Sequence, residues 1–207
     1  MKTRLGRRLS LCFFTWLAIG CCARIGSAQV KDVTVGITPT CPYGLSACWG
    51  GAAASLRMLP DVDSIGANSD AYNCTASIYL TNPGLPNVDR WREDFQKSVG
   101  QLYIFRGVEV TVEAELVAIG DKIALKSPGL KQPLVLAPLK HKLQWNFKKR
   151  QPREPEPGEL AAFDELVKLR QSRAGEPLLV QVTGPLQSAS DGPVMEVREY
   201  FVSKTLQ

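Results

Sequence analysis

The sequence predicts an α+β protein with two domains, a βαββαβ module followed by a five-stranded β-barrel with one helix. Short apolar runs with the two-residue period of strands alternate with longer runs at helical spacing. Gly, Pro, Asn and Asp residues typical of turns separate these runs. A chain of 207 residues, 44% of them apolar and 22% charged, can bury two small cores. This composition excludes a disordered or fibrous protein.

The positive charge of the chain is concentrated in its first 28 residues. The formal net charge is +5, and residues 1–28 hold five of the 25 Lys and Arg residues but no Asp or Glu. The remainder has 20 basic and 20 acidic residues and is neutral. A basic start, an apolar run over residues 9–19 and the small residues Gly26 and Ala28 are typical of a secretory signal peptide. We therefore predict cleavage before Gln29 and export to a periplasmic or extracellular location.

A lipid anchor is the alternative route to the cell envelope. Residues 18–21, Ala-Ile-Gly-Cys, loosely resemble a lipobox, in which Cys21 would carry the lipid. The apolar run before it is too short to span a bilayer. The sequence thus predicts membrane contact only through the signal peptide or through an anchor at Cys21.

The first predicted domain covers residues 29–106. Val33, Val35 and Ile37 alternate with polar or small residues as in a strand, and a helix follows from Trp49 until Pro60 ends it. The domain continues with strands at 62–67 and 75–80 and a helix at 88–99, which Asn87 caps and Gly100 ends. A last strand begins at Tyr103. The order βαββαβ is the ferredoxin-like motif.

The second predicted domain covers residues 107–207. Apolar and polar residues alternate strictly over 108–116, which predicts a strand with one buried and one solvent-exposed face. We predict further strands at 122–125, at 134–139 with an extension through Leu143, Trp145 and Phe147, at 178–182 and at 194–202, and a helix at 159–173. Three strands, a helix and two strands is the order of an OB-like barrel. An SH3-like barrel and an open sheet are the alternatives.

A segment of the first domain resembles a known family. Residues 48–62, Cys-Trp-Gly-Gly-Ala-Ala-Ala-Ser-Leu-Arg-Met-Leu-Pro-Asp-Val, look like the first helix of heavy-metal-associated domains, the copper-chaperone-like modules. In that family a cysteine opens the helix and a Leu-Pro-Gly-Val turn follows it. Here Leu59-Pro60-Asp61-Val62 stands at the same offset from Cys48. The resemblance covers about residues 31–106 and implies a ferredoxin-like fold.

The resemblance also implies a site for Cu(I) or another soft metal ion. The family binds such ions with a Cys-x-x-Cys pair, but without a gap the first cysteine position falls on Leu45, which cannot be a ligand. With four extra loop residues, Cys41 takes that position, so that Cys41 and Cys48 are the candidate ligands. The alternatives are a disulfide of Cys48 with Cys41 or Cys74, because exported proteins meet oxidising conditions, and free thiols in a scaffold domain.

The segment between the third strand and the helix of the second domain is basic. Its cations lie beside Trp145 and Phe147, and basic side chains with stacking aromatics are typical of nucleic-acid or other polyanion binding. The candidate polyanion contacts are Lys140, Lys142, Lys148, Lys149 and Arg150. Export and the zero net charge of the mature chain instead favour solvent-exposed basic side chains that bind no ligand. They disfavour nucleic acid as a partner.

The sequence has no motif that indicates an enzyme. It has no glycine-rich phosphate loop, no His-Glu-x-x-His and no nucleophile elbow. We therefore predict an exported non-enzymatic binding protein, with a soft metal ion as ligand. The alternatives are a structural or interaction module of the cell envelope, with an unidentified protein partner, and a polyanion-binding protein.

Overall fold

A computed structural model describes residues 29–203 of the chain, which form an α+β fold. A nine-stranded, mostly antiparallel sheet forms its framework, with the strand order β11-β9-β10-β6-β5-β4-β1-β3-β2. The predicted α+β class is confirmed. The predicted signal peptide and the candidate anchor Cys21 lie outside the described residues.

The described residues form four helices and eleven strands. The helices are α1 (Gly44–Ala47), α2 (Trp49–Arg57), α3 (Val88–Val99) and α4 (Pro157–Ser172). The strands are β1 (Gln29–Pro39), β2 (Val62–Ile65), β3 (Thr75–Leu80), β4 (Tyr103–Ile119), β5 (Lys122–Lys126), β6 (Leu134–Pro138), β7 (Trp145–Asn146), β8 (Gln151–Pro152), β9 (Leu179–Ala189), β10 (Gly192–Val197) and β11 (Glu199–Val202).

The first half of the chain places two helices against four antiparallel strands in the order β4-β1-β3-β2. Helix α3 is amphipathic, and Val88, Trp91, Phe95 and Val99 form its buried face. The Asn87 side chain accepts a hydrogen bond from the Arg90 amide and thereby caps the helix. Apolar burial therefore holds this layer together, with Leu56 of α2 also fully buried in the core.

Strand β4 connects the two halves of the molecule. Its 17 residues pair with β1 over residues 103–113, with β5 over 115–119 and with β9 over 108–115. Further pairing through β5, β6, β10 and β9 returns to β4, so that five strands form a closed ring. In this ring β6 and β10 are parallel. The strand passes through the predicted boundary at residue 106, and the division into two domains stays a prediction.

The predicted extension of the third strand of the ring is wrong. Strand β6 ends at Pro138, and residues 139–153 instead fold against the first half of the sheet. Leu143 packs directly over Gly36, whose missing side chain leaves the space for it. The Trp145 amide donates a hydrogen bond to the Asn73 carbonyl at 2.9 Å. The alternation of Leu143, Trp145 and Phe147 therefore reflects packing onto another strand pair and not a continuation of β6.

The predicted solvent-exposed face of β4 is only partly exposed. Glu109 and Thr111 are buried, whereas Glu115 is exposed. The Thr111 hydroxyl lies 3.0 Å from that of Thr183, and Glu109 is covered by Gln144 and Arg198. Alternation shows which residues share a face, but it does not show which of them a distant segment covers.

Candidate functional site

The two candidate metal ligands of the first half are joined to each other. Cys41 lies in the loop after β1, and Cys48 lies between α1 and α2. Gly44 begins α1 with a positive φ of 81°, a conformation that glycine adopts without strain, and this turn brings the chain back toward the loop. Cys41 and Cys48 form a disulfide. Of the alternatives that the sequence left open for these cysteines, the structure has the disulfide, with Cys41 as the partner of Cys48.

Contacts to the last strand of the first half position the disulfide loop. The Tyr103 hydroxyl donates a hydrogen bond to the Cys48 carbonyl, and the Thr40 amide donates one to the Leu102 carbonyl at 3.0 Å. Gly51 lies under the Tyr103 ring, where a Cβ atom would approach the hydroxyl to 2.9 Å. Both ends of the loop are therefore held to the start of β4, and a side chain at position 51 would displace the Tyr103 hydroxyl.

The donor set of the cysteine pair suits a soft ion only after reduction. Reduction of the disulfide would release two thiolates, the ligand type that Cu(I) prefers. No group of three His, Cys, Asp or Glu side chains within residues 29–203 is arranged as a metal site. Two sulfur ligands would therefore have to hold the ion, and these residues fit Cu(I) in the reduced state but not in the disulfide state.

Cys74 is a free, buried thiol outside the disulfide. It precedes β3 and has a φ of 52°, unusual for a residue other than glycine. Its carbonyl accepts hydrogen bonds from the Ile37 amide at 2.9 Å and from the Arg106 guanidinium at 2.6 Å. Burial raises the pKa of the Cys74 thiol, and it lowers the pKa of Arg106 to about 10. A buried neutral thiol of this kind is unreactive, which is consistent with a packing role.

The structure separates the five candidate polyanion contacts. Lys142 is largely buried, with its ammonium group 2.6 Å from the Glu159 carboxylate. Lys140 is exposed, and its amide donates a hydrogen bond to the buried Glu196 carboxylate. The remaining three lie in the turn between β7 and β8, are exposed and form no ion pair with any residue in 29–203: Lys148, Lys149 and Arg150.

A buried ion-pair network lies beside this segment, and the sequence did not predict it. The Arg198 guanidinium contacts Glu109 at 3.0 and 3.1 Å and Glu159 at 3.5 Å, and Glu159 also binds Lys142. Burial raises the pKa of Glu109, although the charge and the hydrogen bonds of Arg198 act to lower it. Burial also favours the neutral form of Glu159, but hydrogen bonds from Lys142 and the Glu156 amide outweigh it and lower the pKa of Glu159.

The network borders a polar cleft of about 600 Å³. Lys142, Gln144, Glu159 and Arg198 line its wall, and the Arg153 guanidinium stacks 3.6 Å from the Tyr72 ring centre at its rim. These charges satisfy one another within the protein, and the network joins residues 139–153 to α4 and to β4. No sequence signal distinguishes Glu109 from the other glutamates of β4, because its partners lie 35 and 89 residues away.

Comparisons with known proteins give no relatives for this chain. No protein-family model, no curated protein and no solved structure matches it. Within residues 29–203, no helix combines the length and apolar character needed to cross a membrane.

Proposed function

We propose that the chain is an exported, non-enzymatic binding protein that binds Cu(I) through Cys41 and Cys48 once their disulfide is reduced. The observation that carries this proposal is the convergence of the two sulfur atoms at the start of α2, although the cysteines are seven positions apart in sequence. Convergence of two thiolates is the minimal requirement for a two-sulfur Cu(I) site. The disulfide state excludes the ion, so the site is open only in the reduced protein.

The strand order supports the finer fold assignment. The order β4-β1-β3-β2 with α2 and α3 packed against it is the arrangement expected of a ferredoxin-like module. The closed ring of β4, β5, β6, β10 and β9, with α4 between its third and fourth strands in sequence, is the arrangement expected of an OB-like barrel. We infer a heavy-metal-associated-like domain followed by an OB-like domain that share β4.

Export is supported by the cysteine chemistry of the described residues. A disulfide is compatible with an oxidising compartment, where disulfides form and persist. The charge step and the short apolar run of residues 1–28 support the same assignment. In such a compartment, reductant controls access to the site, because it converts the disulfide into the two ligands.

A Cu(I) titration of the processed protein tests this proposal. Under anaerobic reducing conditions, with a chromophoric Cu(I) chelator as competitor, we expect one bound Cu(I) per chain, and none before reduction. Cys48→Ser should abolish binding because a single thiolate remains in the loop. Cys74→Ala is the matched control and should bind as the wild type does, since Cys74 is buried outside the pair. Absence of stoichiometric binding by the reduced wild type would overturn the proposal.

A thiol count measures the oxidation state of the Cys41–Cys48 pair independently of metal binding. Three cysteines follow residue 28, and two of them form the disulfide. The denatured, unreduced protein should therefore show one titratable thiol per processed chain, and reduction should add two. Three thiols without reductant would mean that the pair is open as isolated.

The second candidate function is a structural or protein-interaction module of the envelope. The formed disulfide favours it, because a closed cysteine pair acts as a cross-link that restrains the loop between β1 and α2. In that case the reduced protein binds no Cu(I), and reduction lowers only the thermal stability.

A further inference from the structure

Three large apolar side chains are exposed beside the disulfide loop. Tyr43 is 80% exposed, Leu102 is 67% exposed and Ile104 is 53% exposed. The Thr40 amide and hydroxyl both bond to the Leu102 carbonyl, which brings the start of the loop against the turn before β4. Ile104 follows on β4 in register with Thr38 of β1. These side chains therefore lie around one end of the sheet.

The exposed basic turn between β7 and β8 adjoins this apolar group. Phe147 begins the turn, and its ring lies 3.6 Å from the position of a Cβ atom on Gly44, next to Tyr43. Lys148, Lys149 and Arg150 follow Phe147 directly. The Lys149 amide donates a hydrogen bond to the Asn146 side chain, which closes the turn. Phe147 thus places the basic turn beside the disulfide loop, and we call the exposed apolar side chains and the three cations together the basic–apolar face.

The cations of the basic turn are not neutralised within the part of the chain that the structure describes. Lys148, Lys149 and Arg150 are exposed and form no ion pair there, whereas Lys142 of the same segment binds Glu159. The three unpaired cations are therefore a local excess of positive charge, which attracts an anionic partner.

We propose that the basic–apolar face binds the surface of an anionic phospholipid bilayer. Cations near such a surface interact with the lipid phosphates, and tyrosine and aliphatic side chains enter the boundary between headgroups and acyl chains. A hydrated soluble polyanion would engage the cations and leave the three apolar side chains in water. The lipid surface accounts for both parts of the face. This proposal is independent of metal binding at the cysteine pair.

Vesicle sedimentation of the processed protein, which begins at Gln29, tests this inference without the apolar run of residues 9–19. We expect binding to vesicles that mix phosphatidylcholine with phosphatidylglycerol, weakening with added salt, and little binding to phosphatidylcholine alone. Replacing Lys148, Lys149 and Arg150 by Gln should weaken binding on the order of 100-fold. Unchanged binding by this variant would overturn the proposal.

A matched control places three charge losses elsewhere on the surface. Lys122, Lys126 and Lys168 are exposed on β5 and α4, away from the proposed face, and their replacement by Gln should leave vesicle binding close to wild type. An equal loss in both triple variants would show an effect of net charge only and would contradict a defined face.

The apolar part of the face distinguishes a bilayer from a soluble polyanion. The variant Tyr43→Ser, Leu102→Ser, Ile104→Ser should lose the vesicle binding that persists at high salt, while its binding to heparin stays that of the wild type. Thermal melting checks that both multiple variants fold. Vesicle binding unaffected by these three changes, together with tight heparin binding, would replace the bilayer by a soluble polyanion as the ligand.

Discussion

The two halves of the molecule bury different kinds of side chain. The layer of α2 and α3 against β1 and β3 buries mostly apolar residues, with Trp91 and Phe95 at its centre. The ring side instead buries charges, among them Glu109 and Arg170, beside its apolar interior. Apolar packing tolerates many partners, whereas a buried charge needs one specific counterpart. The first half is therefore held by apolar volume, and the second depends in addition on pairs between distant residues.

The face of β4 opposite the helices makes this difference visible along a single strand. Glu109 is buried and binds Arg198 and Gln144, whereas Glu113 binds Lys31 at 3.0 Å with both side chains partly exposed. The two glutamates belong to the same alternating run. Their different surroundings come from the covering segment of residues 139–153 and from Arg198 after β10, and not from the strand itself.

The largest effect is expected in the apolar core. Phe95→Ala removes a fully buried ring from α3 and leaves a cavity against Tyr103 and Phe105. We expect the free energy of unfolding to fall by about 3–5 kcal/mol, measured by urea denaturation. Phe201→Ala is the control, because Phe201 is 61% exposed, and it should change stability by less than about 0.5 kcal/mol. A smaller loss for Phe95→Ala than for Arg198→Met would reverse the comparison.

The second effect is expected in the buried network. Arg198→Met removes the counter-charge of Glu109 and should lower the free energy of unfolding by about 3 kcal/mol. Adding Glu109→Gln should restore part of the loss, because no unpaired buried carboxylate remains. Arg90→Met, in an exposed pair with Asp94 on α3, serves as the control and should have little effect. If the double variant is no more stable than Arg198→Met, the network does not act through charge pairing.

The smallest effect is expected at the exposed pair on β4. The hydrogen bond from Lys31 lowers the pKa of Glu113 below its ordinary value, and it outweighs the opposing effect of burial. A lowered folded-state pKa stabilises the protein above the unfolded-state pKa, and this contribution is lost as the pH falls through the folded-state pKa. Glu113→Gln should therefore cost less than about 1 kcal/mol at neutral pH and progressively less in acid.

Denaturation at several pH values measures this dependence, with Glu115→Gln as the exposed control on the same strand. A loss for Glu113→Gln that grows in acid would have the wrong sign for a lowered pKa. A loss as large as that of Arg198→Met would remove the distinction between the exposed and the buried pair.

Elements that depend on neighbouring residues could be predicted closely. The predicted helix 88–99 and strand 75–80 have these bounds in the structure, and Asn87 caps the helix as predicted. Helix capping and the apolar periodicities of helices and strands are local properties, because the groups involved are only two to four positions apart. For the same reason, the α+β class followed from the element types alone.

The candidate site could be predicted only in part. The sequence left a metal pair, a disulfide of Cys48 with Cys41 or Cys74, and free thiols all open, because the outcome depends on how the loop after β1 returns to α2. It also grouped Lys142 with Lys148, Lys149 and Arg150, which are neighbours in sequence. In the structure the covering segment buries Lys142 against Glu159 and leaves the other three in solvent.

The sequence by itself determined the α+β class, the helix at 88–99 with its cap, the strand at 75–80 and the charge balance of residues 29–207. Only the tertiary structure decided the path of residues 139–153, the burial of Glu109 and the meeting of the cysteine loop with the basic turn. The physical reason is the range of the interactions. Periodicity and capping act within a few residues. The contacts of Leu143 with Gly36 and of Arg198 with Glu109, in contrast, join segments about a hundred positions apart. Neither pair exists until the chain has folded.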